Sequence, residues 1–490
     1  MQIQRLIAIA TPALFLAGCA VGPDYAPPSL TAAPAFIGGP AADALAEHGS
    51  QVDLVHWWRS FDDPLLPDLV ERALAQNLDL QQAAARVTQA RAALRHANAD
   101  LLPAGQVSGQ AGEIYQSLES PQGRIAGALP GFEREAQSYE LDLGVGWELD
   151  VFGGRDAARD AARADWQASA ASATAVRLAI AGQTADTYIA IRSLQAQLEV
   201  AREQRDVQQQ LVDLIELRYR EGLAAELQLR QAEGALAYVS ATVPQLEHEL
   251  DSAMNALDVL LGLPPGSVRP ELSAIAPIPA VPAVSSAGGP AEMLRRRPDI
   301  IAAERRLAAS NARIGVAMAE YYPRFSLSGL LGTATQGVGG LLGSNSTQAA
   351  GIFGLRWRLF DFGRVDAEIA AARGSNVEAL AAYRLSVLRA SEEVENTLSS
   401  LVRQQARAAI LADGGESLER ARASSFAAYQ GGVANLLDVL EADRRLLENR
   451  TAQIDAQTSA ARAAVASFRA LGGGWDARPT LFAVSGTSIP

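Results

Sequence analysis

The sequence predicts a mainly α-helical protein with a small β-sheet portion, built as two copies of one unit. The first observation is an internal repeat, because residues 79–262 match residues 299–472 at an offset of 220 residues that falls to 210 partway along. The second is the alternation of apolar and polar residues in short segments of each half, which is typical of strands. The third is a proline-free, alanine-rich stretch in each half, at 154–222 and 363–430, which predicts helices about 100 Å long. Each half therefore reads as helix, β-hairpin, very long helix, tight turn and returning helix.

The first residues predict an export signal. Arg5 precedes a short apolar run that ends in Leu16, Ala17, Gly18 and Cys19, and such a run is too short to span about 30 Å of hydrocarbon as a helix. We interpret residues 1–18 as a lipoprotein signal peptide, because the tetrad resembles a bacterial lipobox. Cys19 would then be lipidated and become the mature N-terminus. The alternative is an ordinary signal peptide with an incidental cysteine; in either case a single cysteine excludes an intrachain disulfide.

The elements follow in a fixed order. Residues 19–62 are rich in Pro, Gly and Ala and predict an extended leader. The first repeat covers residues 63–262, with strands at about 105–116 and 139–150, and the second covers 291–472, with strands at about 323–334 and 351–360. A Pro- and Ala-rich linker at 263–290 joins them, and residues 473–490 form a tail. The change of offset lies between residues 110 and 146, which predicts a surface loop there.

Each long helix is predicted to end at a glycine, Gly222 in the first repeat and Gly432 in the second. Glycine fits the left-handed conformation of a helix C-cap that other residues resist. The heptad spacing of small and mixed residues along the long helices favours packing against several neighbouring helices rather than a two-stranded dimer.

The strands are predicted to have one apolar face and one charged face. In the strand at 139–150, leucine, valine and Trp147 alternate with acids and glycines. A sheet with an apolar outer face suits lipid only if its edges are paired, so it must close. Four strands cannot enclose a pore, so we expect several chains to share one membrane β-barrel. The alternative is a soluble β-sandwich with the aromatic residues in its core.

Two sets of residues belong to this barrel hypothesis. The charges assigned to the water-filled lumen are Asp142, Glu148, Arg356 and Arg358. The residues assigned to an aromatic girdle at the membrane boundary are Trp147, Trp357 and Phe362.

Composition argues against several classes of function. The net charge is −13 and the chain has no lysine, which argues against a polybasic nucleic-acid or lipid-headgroup surface. After the signal no segment offers about 18 apolar residues in a row, so no transmembrane helix is predicted. The four histidines lack metal-ligand spacing, and the Gly-rich stretch at 329–343 lacks the lysine of a phosphate loop. We therefore expect no enzyme, no metal and no cofactor other than the covalent lipid on Cys19.

Several motifs together resemble a known family. They are Cys19 with Gly22, Pro23, Asp24, Tyr25 and Pro28; Trp57, Trp58, Phe61, Asp63, Pro64 and Leu65; Arg297, Pro298, Asp299 and Ile300; Tyr322, Pro323, Ser326, Leu327, Ser328 and Gly329; and Trp357, Leu359, Phe360, Asp361, Gly363 and Arg364. Over essentially the whole mature chain, this combination is similar to the TolC-like outer-membrane efflux channels, in their NodT-type lipoprotein branch.

The resemblance implies a homotrimer with a twelve-stranded barrel in the outer membrane and an α-helical tunnel across the periplasm. It further implies a periplasmic adaptor, an inner-membrane pump of the RND type as partner, and passive export of drugs or other small molecules. The alternatives are a structural or adaptor envelope lipoprotein without a pore and the outlet of a type I secretion system. Two strand pairs with lipid-type outer faces favour the channel over the adaptor.

The resemblance also implies a periplasmic gate formed by Tyr429, Asp438 and Glu441. The two acids are three residues apart and so share one helix face. The first repeat has Tyr219, Gln228 and Gln231 at the matching positions, which would confine the acidic ring to one repeat. Two departures from the family pattern are Glu441, where a second aspartate is common, and Ala434, where some members have an arginine. The alternative for both acids is a solvated helix face.

Overall fold

The computed structural model describes residues 21–29, 34–46, 53–284 and 289–476, which are mainly helical with one small antiparallel sheet. The predicted fold class is confirmed. The helices are α1 Gly39–Ala46, α2 Leu66–Gln76, α3 Leu78–Ala99, α4 Pro121–Ala126, α5 Gly154–Arg220, α6 Glu226–Leu260, α7 Arg269–Leu272, α8 Gly289–Arg296, α9 Pro298–Ala319, α10 Arg364–Gln430 and α11 Leu436–Ala470. The strands are β1 Ala104–Tyr115, β2 Glu135–Leu149, β3 Arg324–Thr335 and β4 Thr347–Arg356. The predicted signal peptide, Cys19 and residues 477–490 of the tail lie outside the described residues.

The repeat is visible in the helices. The long helices α5 and α10 each have 67 residues, and the returning helices α6 and α11 each have 35. Equivalent residues are 210 apart in both pairs. The two connecting turns are also alike, since Leu223 N–H donates to the Arg218 carbonyl at 2.7 Å and Val433 N–H donates to the Ala428 carbonyl at 2.9 Å. These are the six-to-one hydrogen bonds of a Schellman motif, and they return the chain alongside the long helix.

The four strands form one sheet in the order β1, β2, β3, β4, with every neighbouring pair antiparallel. Each repeat supplies one hairpin, and β2 pairs with β3 to join the hairpins. The outer edges of β1 and β4 have no strand partner among the described residues. The loop from 116 to 134, which contains α4, is longer than the loop from 336 to 346, so the length difference between the repeats falls in the hairpin loops.

The chain divides into two compact units. Among the described residues, the first takes in 21–28, 88–168 and 304–382, and it contains the sheet. Its helical part packs Ala164 of α5 against Ala308 and Ala309 of α9, with Tyr25 of the leader alongside. The second unit takes in residues 29–87, 169–303 and those from 383 onward. There, Trp57 stacks on Phe468 with ring centroids 5.6 Å apart.

Some predicted boundaries are wrong. The leader is not extended throughout, because α1 and a 3₁₀ segment at Leu54–Phe61 lie within it. The reason is burial: Trp57, Trp58 and Phe61 are almost inaccessible to solvent, and Asp53 caps the segment by accepting from Val55 N–H at 2.9 Å. The linker contains α7 and the start of α8.

Two strands also differ from their predicted bounds. β4 ends at Arg356 rather than residue 360, because its partner β3 begins at Arg324, directly opposite Arg356. β2 begins at Glu135 rather than residue 139, because β1 continues to Tyr115 and pairs with it there. The β-sandwich alternative is wrong for the described residues, which form one sheet and leave Trp147 and Trp357 exposed.

None of the helices in the described part of the chain is long and apolar enough to cross a membrane.

The turn glycines generate a prediction. Gly432 has a φ of 73°, so Gly432→Ala should lower the free energy of unfolding by about 1–2 kcal/mol, because a Cβ is strained in the left-handed region. The measurement is thermal or denaturant unfolding of the detergent-solubilised protein followed by circular dichroism. Gly234→Ala is the matched control: Gly234 lies inside α6 with open space around it, and alanine there should stabilise the helix by about 0.5–1 kcal/mol. Equal effects of the two substitutions would contradict the cap.

Candidate functional site

The sheet has a polar face formed by the even-numbered residues of β1, β2, β3 and β4. The strand registers place these residues side by side, because Gln106 pairs with Gly144, Gly144 with Leu330, and Ser328 with Ile352. The predicted lumen residue Asp142 lies on this face, and its Oδ1 accepts from Gln348 Nε2 of β4 at 2.8 Å. The polar residues of this face are Gln106, Ser108, Gln110, Ser138, Glu140, Asp142, Glu148, Arg324, Ser326, Ser328, Gln348 and Arg356.

The odd-numbered residues form the opposite, apolar face. They continue across all four strands, because Val107 pairs with Leu143, Leu143 with Leu331, and Leu327 with Phe353. The large apolar side chains that this face exposes are Val107, Leu141, Leu143, Val145, Trp147, Leu327, Leu331, Phe353 and Leu355. Soluble monomers rarely expose an apolar surface this continuous, so the face requires a nonpolar environment.

Ion pairs surround the end of the sheet where the strands meet the helices. Glu148 pairs with Arg155 at the start of α5 at 2.9 Å. Glu320, at the end of α9, pairs with Arg324 and, at 3.1 Å, with Arg358. Arg358 lies beyond β4, which ends at Arg356. The prediction that Arg358 lies within this strand is wrong. Glu148 and Arg358, both predicted to be lumen charges, are each balanced by an opposite charge in the same chain.

Two of the predicted girdle residues are held in equivalent ways. Trp147 Nε1–H donates to the Leu101 carbonyl at 2.9 Å, and Trp357 Nε1–H donates to the Tyr321 carbonyl at 3.0 Å. Each indole is thus tied to the segment that precedes its own hairpin, and both remain exposed. Phe362 is almost fully exposed at 95%. Exposed aromatic rings with their polar groups satisfied fit a membrane–water boundary, and the girdle role stays a prediction.

Tyr429, predicted to be part of the gate, is buried close to the end of α10. It packs in a cluster with Ile215, Leu436 and Val439, and the guanidinium of Arg218 lies 4.9 Å from the centre of its ring. Its counterpart Tyr219 is 41% exposed. The two repeats therefore differ here in packing although they keep the same residue.

Asp438, the first predicted acid of the gate, is part of a helix cap. Its carboxylate accepts from Asn435 N–H at 3.0 Å, while Asn435 Oδ1 accepts from Asp438 N–H at 3.0 Å. This is a capping box. In the first repeat Gln228 accepts from Ala225 N–H at 3.2 Å. Aspartate and glutamine thus share one structural role, and the repeats differ in the charge carried at that position.

Glu441, the second acid, lies between two arginines. Arg444 Nη2 is 2.9 Å and Arg445 Nε 2.7 Å from its carboxylate. The hydrogen bond from Arg444 and then that from Arg445 lower the pKa of Glu441 to about 2. The carboxylate is therefore ionised at any physiological pH, but its charge is balanced locally. Glu441 and Asp438 both remain accessible, which fits the solvated-face alternative as well as a gate.

A third acid in this region, Asp443, has no counterpart in the sequence-based prediction. It is only 2% exposed, and it binds Arg422 Nε at 2.9 Å and Gln208 Nε2 at 3.1 Å. A sequence signal did exist, because Asp443 interrupts an apolar stripe with helical spacing formed by Leu436, Val439 and Leu446. In the described residues no group of three or more His, Cys, Asp or Glu side chains could hold a metal ion.

The chain resembles known proteins in both sequence and fold. The family model described as outer membrane efflux protein matches residues 69–263 and 289–473. Two curated relatives are the pyoverdine export outer membrane protein OpmQ of Pseudomonas putida, 34% identical over 86% of this chain and 88% of the relative, and nodulation protein T of Rhizobium leguminosarum bv. trifolii, 32% identical over 88% and 90%. A solved structure of the outer-membrane channel OprN has a TM-score of 0.84 and 33% identity, and it covers 93% of this chain and all of its own.

The arginines around Glu441 generate a pH prediction. The lowered pKa means that wild-type Glu441 stays charged as the pH falls from 7 towards 3, because it protonates only near pH 2. In Arg444→Ala/Arg445→Ala the carboxyl should titrate near its ordinary value of about 4.3. We expect a new transition between pH 5 and 4 in the conductance of channels in planar bilayers. The triple variant that adds Glu441→Gln is the control, and the prediction is wrong if the transition persists in it.

The gate hypothesis generates a second prediction. The double variant Asp438→Asn/Glu441→Gln removes both negative charges but keeps side-chain oxygens that can accept hydrogen bonds, including the one in the capping box. Single-channel conductance should rise and cation preference should fall. The corresponding first-repeat variant, Gln228→Ala/Gln231→Ala, should leave cation preference unchanged because it removes no charge. Unchanged conductance and selectivity in the first variant would count against the two acids as a gate.

Proposed function

The chain belongs to the outer membrane efflux protein family, and from this premise we propose that three copies of it form one export duct. As a member of that family, the chain is the outer-membrane channel component of an efflux system that includes an inner-membrane pump and a periplasmic adaptor. The number of copies, the closure of the sheet, the lipid anchor and the type of pump belong to the proposal. The observation that carries it is the four-stranded sheet with one apolar face, one polar face and two unpaired edges.

The unpaired edges support a barrel shared between copies. An unpaired backbone N–H or C=O in hydrocarbon costs several kcal/mol, so spanning sheets are closed. Four strands are too few to enclose a pore. The repeat shows how a neighbour fits: β3 pairs with β2 inside the chain, and β1 and β4 are their counterparts in the other repeat. A second copy can therefore add its β1 to β4 in the same antiparallel way, and three copies give twelve strands.

The long helices support the same assembly. Leu178 of α5 is 6% exposed, whereas its counterpart Leu388 of α10 is 67% exposed. Ile410 of α10 is 71% exposed. Within one chain, α10 thus lacks the cover that α5 has. Apolar positions of a helix are stabilised by burial, at roughly 25 cal/mol per Å², so a neighbouring copy is the natural cover.

The leader supports a lipid anchor at Cys19. Val21 N–H donates to the Phe152 carbonyl at 3.1 Å, and Asn311 Nδ2 donates to the Pro23 carbonyl at 2.9 Å. A Cβ on Gly22 would lie 2.9 Å from the Cα of Gly315, so the leader lies directly against α9. The first of these contacts involves Val21, two residues after Cys19, and it lies where β2 meets α5. Diacylglycerol and an N-acyl chain on Cys19 would therefore be attached close to the end of the apolar face.

The proposed duct has no chemistry of its own. Solutes pass along a wall of polar side chains, and the free energy for export comes from the pump, which we propose to be of the RND type. The cargo class is small molecules, which include drugs and secreted metabolites; the relative OpmQ is a pyoverdine export outer membrane protein. A type I secretion outlet is the second candidate. An envelope lipoprotein without a pore is disfavoured by the polar face, which such a protein does not need.

The decisive experiment is purification of the full-length protein in detergent. We expect a complex of three chains by light scattering, a β-signal in circular dichroism that survives protease treatment of exposed helices, and ion conduction after reconstitution in planar bilayers. These results follow from closure of a twelve-stranded sheet. A water-soluble monomer without conductance would contradict the proposed function.

The anchor is tested separately. Cells fed labelled palmitate should incorporate label into the wild type and not into Cys19→Ala, because Cys19 is the only thiol in the chain. Ala20→Ser is the control, since it leaves the thiol in place. Label in Cys19→Ala, or none in the wild type, would disprove lipidation at this residue.

A further inference from the structure

A row of polar contacts joins α5 to α11 within one chain, and we name it the intrachain seam. Arg462 binds Asp186 with an Nη2–Oδ2 distance of 2.7 Å, and Thr458 Oγ1 lies 2.8 Å from Ser193 Oγ. Three further contacts are Gln197 Nε2 with Asp455 at 2.9 Å, Arg450 with Glu203 at 2.9 Å, and Gln208 Nε2 with Asp443 at 3.1 Å. The seam therefore holds the two helices by contacts at five positions along their length.

The repeat identifies a second pair of helices, α10 and α6, whose faces equivalent to the seam do not contact each other within the part of the chain that the structure describes. The counterpart of α5 is α10 and the counterpart of α11 is α6, with equivalent residues 210 apart. Ser193 and Thr458 are buried, at 6% and 8% exposure, whereas their counterparts Arg403 and His248 are exposed. Within one chain the α10 and α6 surfaces that correspond to the seam are therefore uncovered.

A second copy of this chain fits both surfaces. Because α10 and α6 repeat the lengths of α5 and α11, α6 of one copy can pack on α10 of the next as α11 packs on α5. Charge is compatible with the same arrangement. Arg403 and Arg407 have no carboxylate partner in the described part of the chain, and they would face the segment 245–249, in which Glu249 contacts only Gln245. We name this contact between copies the interchain seam.

The interchain seam lacks the polar contacts of the intrachain seam. Equivalent positions place Asn396 opposite Ser252, Arg403 opposite His248, Arg407 opposite Gln245, Asp413 opposite Ser240, and Leu418 opposite Glu233. None of these five pairs joins opposite full charges at neutral pH. The buried cluster of Asp443, Arg422 and Gln208 is also missing, because its counterparts are Glu233, Val212 and Leu418.

These differences decide which seam separates. A duct walled by packed helices widens only if some of its helix pairs come apart. Separation of the intrachain seam would break two ion pairs, Arg462 with Asp186 and Arg450 with Glu203, and would remove the Gln208 hydrogen bond from Asp443. We propose that the copies separate along the interchain seam when the duct widens, while each intrachain seam stays closed. The inference rests on the proposed trimeric duct and adds the place at which it opens.

The test uses disulfides in the full-length lipidated protein. Ser193 and Thr458 have short side chains whose hydroxyl oxygens lie 2.8 Å apart, which brings their Cβ atoms close enough for a disulfide, and the repeat places Arg403 and His248 at the equivalent positions. Arg403→Cys/His248→Cys should link neighbouring copies and give a covalent trimer on a non-reducing gel. Ser193→Cys/Thr458→Cys is the matched control, which should form a link within each chain and migrate as a monomer. The four single-cysteine variants should form no link.

Function is then measured in both states of each variant, as conductance in planar bilayers and as drug tolerance of cells. Oxidation of the interchain pair should abolish the widened state, and reduction should restore it. Oxidation of the intrachain pair should change neither measurement. If Arg403→Cys/His248→Cys fails to fold, Arg407→Cys/Gln245→Cys tests the same seam one helical turn away.

Each result has a defined meaning. A trimer that forms no interchain link in either pair contradicts the helix register. The choice of seam is contradicted if the intrachain link alone blocks widening, if both links block it, or if neither link blocks it. Failure to form any trimer would instead contradict the proposed function, and light scattering of the untreated samples separates that case from the others.

Discussion

The rest of the structure depends on the pairing of backbone hydrogen bonds at the edges of one small sheet. Four strands with an apolar face cannot remain open in lipid, and they are too few to close by themselves. In the proposed assembly, further copies of the chain therefore pair with the edges of β1 and β4. Because each hairpin is followed by two long helices, whatever brings the strands together also brings the helices together. The internal repeat makes this assembly regular, since a neighbouring copy meets strands and helices that resemble its own.

Local features of the fold were predictable because their causes lie within a few residues. Gly222 and Gly432 mark the turns because the left-handed conformation selects glycine. Alternation in β2 separated the apolar and polar faces correctly. The structured parts of the leader were missed because Trp57 and Phe61 are buried by Phe468, more than 400 residues away in the sequence. The end of β4 was missed because it depends on where its partner begins.

The candidate gate contains some contacts that local sequence patterns indicate and one that they do not. Arg444 and Arg445 lie three and four residues after Glu441, so the ion pairs were visible in the sequence as helical neighbours. Asn435, three residues before Asp438, likewise indicated a capping box. In contrast, the partner of Asp443 across the seam is Gln208, and no local pattern links residues 235 positions apart. Comparison of the two repeats is more informative here than either repeat alone, because the repeats keep the fold and differ in charge.

The longer hairpin loop, from 116 to 134 with helix α4 in it, has a consequence for recognition from outside the cell. In the proposed ring of three copies, long and short loops would alternate, so the outer rim would have threefold symmetry while the wall beneath it would be close to sixfold. A phage protein or antibody directed at α4 would find three sites per channel, and one directed at the loop from 336 to 346 would find three others between them. Because both loops lie outside the helix seams and, apart from the Gln116 N–H bond to the Arg134 carbonyl, outside the strand pairing, both can change in sequence and length under such selection.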